Sequence, residues 1–328
     1  LNYLTILTVA IVLSAATVAS AVQSLDVVKK SYPLRPVRVI VSAAPGGSSD
    51  AAARIISLRL SERLGQQFVI DNRGGGGGIL GTGVVAKAEA DGYTLGFVSL
   101  RHAVNPSLIK LPFDSVRDFA PISLTAAVGN VLVVSPKSSV MTVVDLIQAA
   151  KQNKQAVMTF SSSGIGGAPH LIGEFFAQQT GITLTHIAYK GGSPAVADVV
   201  AGNVTMSFAS MPSALPFIKS NRLRPLAVAS KDRSLLLPEV PTMVEAGAGR
   251  IEVRDWQGYL APRGVPLNTV QYLGGQVQSI LKEPDTKQRF SSMGMDIVAS
   301  SPDEFLQIIK ADVLRWSEVI KLANIKVE

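Results

Sequence analysis

The chain has 328 residues, of which 47% are hydrophobic and 17% charged, with a formal net charge of +7 and no cysteine. That balance is globular rather than disordered, and the length suffices for two compact lobes with separate cores. Without cysteine there are no disulfides, no thiolate catalysis and no zinc–thiolate sites. The Lys and Arg residues are scattered, with no basic stripe interleaved with aromatics, which argues against nucleic acid. Either the positive charge favours anionic small molecules or it is a basic surface and no more.

Residues 1–21 carry no charge, and the apolar run from Leu4 to Val22 with Ala19-Ser20-Ala21 reads as a secretory signal ending in an A-x-A cleavage site. The mature chain then starts near Val22 and is exported. An uncleaved membrane anchor is the competing reading, because a stretch of this length just spans a bilayer. No second such stretch follows.

Strand-like and helix-like runs then alternate as in a parallel α/β sheet. The pattern predicts strands at Val37–Ser42, Phe68–Asn72 and Tyr93–Leu100, and helices at Asp50–Leu64 and Ile79–Ala88. Ile56, Leu60 and Leu64 repeat at i, i+4 in the first helix. Beyond the Asn105-Pro106 break comes a turn-rich stretch, then an apolar strand at Asn130–Ser135. The alternation restarts with helix Val143–Lys151, strand Met158–Ser161, helix His170–Gln179 and strand Thr183–Tyr189. Helix Pro194–Ala201, strand Thr205–Ala209, helix Ser213–Ser220 and strand Leu226–Ala229 follow. Val253–Ala261 is a further strand, and helices at Leu267–Leu281 and Pro302–Ala323 end the chain. The strands at Asn130 and Val253 bracket the middle block as two hinge crossings would. This gives a lead-in at 22–34, a first lobe of 35–133 plus 257–328, and a second lobe of 134–256. No tandem repeat is evident.

Two glycine-rich turns, Ala44–Asp50 and Ser161–His170, each stand between a strand and a helix. Glycines there expose backbone N–H groups, and the helix N-terminus behind them adds roughly half a positive charge. Two such turns about a hundred residues apart read as the halves of one anion clamp.

The same turns, PGGSSD at Pro45–Asp50 and SSGIGGAPHL at Ser162–Leu171, belong to a longer series of blocks. It includes VIDNRGGGGGILGT (Val69–Thr82), DGYTL (Asp91–Leu95), NPSL (Asn105–Leu108) and LPFDSVRDFAPIS (Leu111–Ser123). YKGGSPAVADVVAG (Tyr189–Gly202), PSALPFIKSNRLRPLAV (Pro212–Val228), LPEVPTMVEAG (Leu237–Gly247) and WQGYLAP (Trp256–Pro262) complete it. In that order the blocks resemble the substrate-binding proteins of the tripartite tricarboxylate transporter family, the Bug receptors, over nearly the whole chain after the signal. The resemblance implies a two-lobed, type II-like periplasmic binding protein with two parallel-sheet α/β domains around a ligand cleft. It implies a small carboxylate held by Gly46, Gly47, Ser48 and Asp50 of the first lobe. From the second lobe it implicates Ser162, Gly164, Gly166, Ala168, His170, and the Tyr189-Lys190-Gly191 turn. Arg101 and His102, in the segment Ser99–His102, and Ser210 join the ligand-binding set.

Each assignment has a plainer counterpart. Asp50 near a helix N-terminus stabilises the helix dipole, and its charge would repel a carboxylate, so it is expected to orient the loop or hold a bridging group. Ser162 is a candidate cap for the next helix, and His170 a candidate packing residue between lobes. Gly76, Gly78 and Gly81 match a dinucleotide fingerprint, but the next strand ends in Ser99-Leu100-Arg101 without the acid that would bind a ribose. Lys190-Gly191-Gly192 lacks P-loop spacing. No G-x-S-x-G elbow occurs, and no Ser, His and acid set argues for a triad; the three histidines share no metal-ligand spacing. Binding without chemistry, cofactor or metal is the expectation. Ala209 stands where many family members carry an acid that would pair with an ammonium, and Arg101 stands where a small or polar residue is usual. Together they favour a di- or hydroxycarboxylate over an amino acid, with Arg101 offered to a second carboxylate. A monomer that delivers its ligand to membrane transporter subunits is the first reading, and a receptor signalling to a membrane partner is the alternative.

Overall fold

The computed structural model describes residues 32–152, 157–323 and 325. The expected signal segment lies outside the described residues.

The first sheet is built by β1 (Val37–Val41), β2 (Phe68–Asn72), β3 (Thr94–Ser99) and β4 (Phe119–Val128), joined through helices α1 (Ser48–Leu64), α2 (Ile79–Ala86) and α3 (Arg101–Leu108). The chain then leaves for a second sheet of β5 (Asn130–Val134), β6 (Thr159–Ser162), β7 (Thr185–Ala188), β8 (Met206–Ser210) and β9 (Arg224–Val228). Its helices are α4 (Val143–Gln152), α5 (Ala168–Thr180), α6 (Gly192–Ala201) and α7 (Met211–Lys219). It returns through β10 (Asp255–Pro262) and ends with α8 (Leu267–Lys282), α9 (Pro284–Ser292), β11 (Met295–Ile297) and α10 (Pro302–Leu322).

Strand order is β11-β4-β10-β3-β1-β2 in the first lobe and β7-β6-β8-β5-β9 in the second. β1 pairs parallel with β2 and β3, and β6 with β7 and β8. The two strands that have just changed lobe run antiparallel to their neighbours, β10 between β3 and β4 and β5 between β8 and β9, and β11 is antiparallel to β4 at the edge of the first sheet. Val37, Val39, Ile40 and Val41 are fully buried, as strands covered by helices on both faces must be. α1 lays Ala52, Ala53, Ile56 and Leu60 against this sheet, and Phe160, Phe176 and Phe208 fill the core of the second lobe.

The first crossing falls at Gly129, because β5 pairs entirely within the second sheet; the expected boundary after residue 133 moves to this glycine. The return is complete by Asp255, two residues before the expected one. Gly129 is tied to both lobes: its N–H donates to the Gly294 carbonyl at 3.1 Å, and its own carbonyl accepts from the Met211 N–H at 2.7 Å.

β4 fills what read as a turn-rich stretch. Its small residues and Pro121 argue against a strand, yet Pro121 sits beside the register shift opposite Tyr259 and Leu260, where a missing ladder donor is tolerated. α3 occupies the expected Asn105-Pro106 break, with Pro106 two residues before its end. α9 and β11 were likewise not expected from the pattern. α10 is started by a capping box, in which Glu304 N–H donates to Ser301 Oγ at 3.2 Å and Ser301 N–H donates to Glu304 Oε2 at 2.7 Å. The Trp256 indole donates to Asp312 at 2.6 Å, which fastens β10 to this helix.

On α5, a Cβ at Gly173 would lie 2.2 Å from the fully buried Phe160 ring. Gly173→Ala therefore overpacks the second lobe and should lower stability by about 1–3 kcal/mol, read as a lower denaturant midpoint. An unchanged midpoint would show that the ring can move aside.

Candidate ligand-binding site

Between the lobes lies a cavity of about 260 Å³, just below the roughly 300–1,000 Å³ usual for drug-sized ligands. Three helices end at it with their N-termini. α1, α5 and α6 have Gly47, Gly167 and Gly191 as N-caps, and none receives a side-chain cap. A serine or aspartate cap would have bonded one first-turn N–H of each helix; with glycine caps the N–H groups of Ser48, Ser49, Ala168 and Gly192 are offered to whatever fills the space, while Pro169 and Pro194 have none and His170 N–H turns to the Gly167 carbonyl at 3.0 Å. The cap glycines and Ser48, Ser49, Ala168 and Gly192 all line it. Each N-terminus carries roughly half a positive charge, so the wall selects an anion.

With exposed Lys190 beside it, Arg101 is the buried cation of this wall. It begins α3 in the first lobe and reaches across to the second, where Nη2 donates to Ser163 Oγ at 2.7 Å. Its Nε is buried without a partner. Burial pushes its pKa down, and Asp255 nearby works in the opposite direction. Among the described residues no carboxylate pairs with it. A second bridge closes the other rim, with the Ser193 hydroxyl donating to the Gly46 carbonyl at 2.9 Å. Across from these, β10 presents Asp255 and Gln257 on one face; Gln257 Nε2 donates to Ser48 Oγ at 2.8 Å and its Oε1 is left bare.

Of the residues expected at the site, Gly47, Ser48, Arg101, Gly164 and Ala168 line the cavity, as do Tyr189, Lys190, Gly191 and Ser210. The others stand behind it. The Asp50 carboxylate accepts from Gly46 N–H at 3.0 Å, Arg54 Nε at 3.0 Å and Asn72 Nδ2 at 2.9 Å. Burial alone would raise its pKa, but these donors outweigh it and hold it below the usual carboxylate range. Asp50 thus shapes the first turn. Gly46 offers its carbonyl to the rim bridge, and Gly166 packs against Asn105, whose Oδ1 would lie 2.5 Å from a Cβ there.

Ser162 is fully buried; its hydroxyl pairs with the His186 ring nitrogen at 2.6 Å and accepts from Gly164 N–H at 3.1 Å. Ser163, one residue on, takes the place at the cavity. A serine–histidine pair sealed away from the ligand space is no nucleophile. His170 stacks on His186 at 4.2 Å, and its Nδ1 accepts from Gly166 N–H at 3.3 Å. Burial, His186 and Arg101 push its pKa down to about 3. His102 lies beneath the cavity, paired with the Ser115 carbonyl at 2.7 Å and pushed down to about 4 by burial.

Sequence reasoning missed Ser163, Asp255, Gln257 and the wall made by Gly75–Gly78. All four of these glycines have positive φ, and a Cβ on Gly77 would come within 3.1 Å of the Ile165 carbonyl of the other lobe. The run is a backbone surface rather than a nucleotide fingerprint. The usable signal for Asp255 and Gln257 was the two-residue period of a strand. A roomier groove of about 560 Å³ lies beside the hinge, lined by Lys231, Arg233 and Leu235, but none of the cap glycines reaches it.

The model of the tripartite tricarboxylate transporter family receptor matches residues 52–325. Protein BugT of Bordetella pertussis is 35% identical over 314 residues, 95% of this chain and 96% of BugT. A solved R. palustris protein with adipate is 34% identical, with a TM-score of 0.87, covering 90% of this chain and 99% of that one. MatC from Rhodopseudomonas palustris with bound malate is 26% identical, with a TM-score of 0.83, covering 88% and 100%. The two-lobed fold and the expectation of binding without chemistry agree with these similarities, and the chain belongs to the tripartite tricarboxylate transporter family of receptors.

Proposed function

We propose that the protein is a periplasmic receptor that captures a small di- or hydroxycarboxylate between its lobes and delivers it to membrane transporter subunits. The observation that carries this reading is the convergence of three glycine-capped helix N-termini and an unpaired arginine on one small cavity. One ligand carboxylate sits on the N–H groups of α1 and α5, and the second on Arg101, which offers two parallel donors to a planar anion. Relatives solved with adipate and with malate support this ligand class.

Closure follows from the placement of the donors. α1 belongs to the first lobe and α5 and α6 to the second, so an anion between them gains its full set of donors only when the lobes are together. The ligand thereby shifts the population toward the closed form by its differential affinity for that form. The membrane partner then recognises the closed form.

A small dicarboxylate present at about 100 times its dissociation constant should stabilise the protein by roughly 2.7 kcal/mol, visible as a raised thermal midpoint. Amino acids and nucleotides should leave the midpoint where it is; a shift with those alone would refute the ligand class.

Arg101→Gln removes a charged hydrogen-bond partner whose contribution is about 1.5–3 kcal/mol. It should weaken dicarboxylate binding by roughly 10- to 100-fold, with much less effect on a monocarboxylate of the same length. In Gly167→Ala the new Cβ would stand 2.5 Å from Arg101 Nη2, and the displaced guanidinium should give the same pattern in calorimetric titration. Equal losses for both ligands would place Arg101 away from the second carboxylate.

A further inference from the structure

Among the described residues, Asp255 is the one acidic side chain lining the cavity. It opens β10 and is 7% exposed, and its carboxyl takes part in no hydrogen bond or ion pair among the described residues. As a carboxylate it would work against everything else at the site. The helix N-termini, Arg101 and Lys190 collect anions there, and a fixed negative charge in the same enclosed space repels them. As a neutral acid it becomes a hydrogen-bond donor facing the same ligand.

Its surroundings favour the second state. Burial pushes the Asp255 carboxyl up to about 7, with Arg101 pulling it back. An anion seated on Arg101 offsets that pull and adds its own repulsion, and both effects favour the proton. Cations face Asp255, but none is in an ion pair with it among the described residues. α3 contributes Arg101, and His170 of α5 stands behind that residue. The turn before α6 contributes exposed Lys190, and Tyr189, which burial and Asp198 push up to about 12. In register on the neighbouring strands are Val128 opposite Asp255 and Ser99 opposite Gln257. On the other face of β10, Asp312 is engaged with Trp256.

We propose that Asp255 is a specificity-determining residue that binds the ligand as a neutral acid, donating a hydrogen bond to the carboxylate held by Arg101. The dicarboxylate therefore enters as a dianion together with a proton taken from solvent onto Asp255, with no other bond made or broken. This rests on the receptor reading of the cavity. It adds that the receptor responds to pH near neutrality.

The sign follows from linkage. A group whose pKa rises on binding leaves affinity flat below its free-state value and weakens it as pH climbs past that value, by up to about tenfold per unit. The three histidines do not interfere, because burial keeps His102, His170 and His186 at about 4, 3 and 4. They are neutral throughout the range that matters.

The experiment is calorimetric titration of the protein with adipate and with malate from about pH 6.5 to pH 9, where nearly all of each ligand is dianionic. Each titration is run in two buffers of different ionisation heat, which reports the protons taken up. The expected result is affinity falling by up to about tenfold per pH unit above pH 7, with proton uptake near neutrality. Asp255→Asn keeps a donor but has no proton to gain, so its affinity should be independent of pH and its uptake zero. Wild-type binding with a flat profile and no uptake would overturn the role of Asp255 while leaving the receptor reading intact. Affinity that rises with pH would overturn it too, as the mark of an ionised Asp255 facing a cationic group. A wild-type protein that binds no carboxylate at any pH would overturn both readings.

Discussion

The convergence of three glycine-capped helix N-termini on one space is the constraint around which the cavity is built. Gly47, Gly167 and Gly191 cap three helices without a side-chain acceptor, and the first-turn residues Ser48, Ser49, Ala168 and Gly192 bring their N–H groups to the wall of the same enclosed space. Buried backbone donors are rarely left unpaired, and partial positive charges of like sign facing one another across a gap repel. Arg101 adds a whole charge to that side of the balance. What brings such surfaces together is an anion between them, and in this account the ligand is an electrostatic part of the interface between the lobes.

The rest of the fold holds these termini in place. β1 and β6 end at the two turns, and the second turn is braced from behind by the buried set of Ser162, His186 and His170. The first turn is braced by Asp50, whose carboxylate ties the loop to Arg54 and Asn72. Gly129, bonded to both lobes, is where the chain first crosses between them. β10 joins the hinge to the chemistry. It returns the chain to the first sheet, turns Trp256 into the core and sets Asp255 and Gln257 at the cavity.

Much of this was legible in the residues, and the parts that were not have physical reasons. The glycine turns announced two helix N-termini that line the cavity, and Phe68–Asn72 has in the structure the bounds expected from the sequence. β4 was hidden because its small residues and Pro121 look like a loop until the neighbouring strands β10 and β11 are known. In the second turn the reading was one residue out: a strand turns successive side chains to opposite sides, so Ser162 points into the lobe while Ser163 meets Arg101. The strand period sets Asp255 and Gln257 on one face of β10, but not which face meets the cavity. The importance of Asp255 comes from sheet order, which sets Gln257 beside Ser99 across more than 150 residues of chain, and from burial, which no short motif encodes.

The central claim is that the helix N-termini and Arg101 together grip a two-headed anion, and a crystal structure of the protein with adipate tests it most directly. The account predicts one carboxylate within about 2.7–3.2 Å of first-turn N–H groups on α1 and α5, and the other paired with the Arg101 guanidinium. A ligand held elsewhere, or one with neither carboxylate touching these groups, would contradict it.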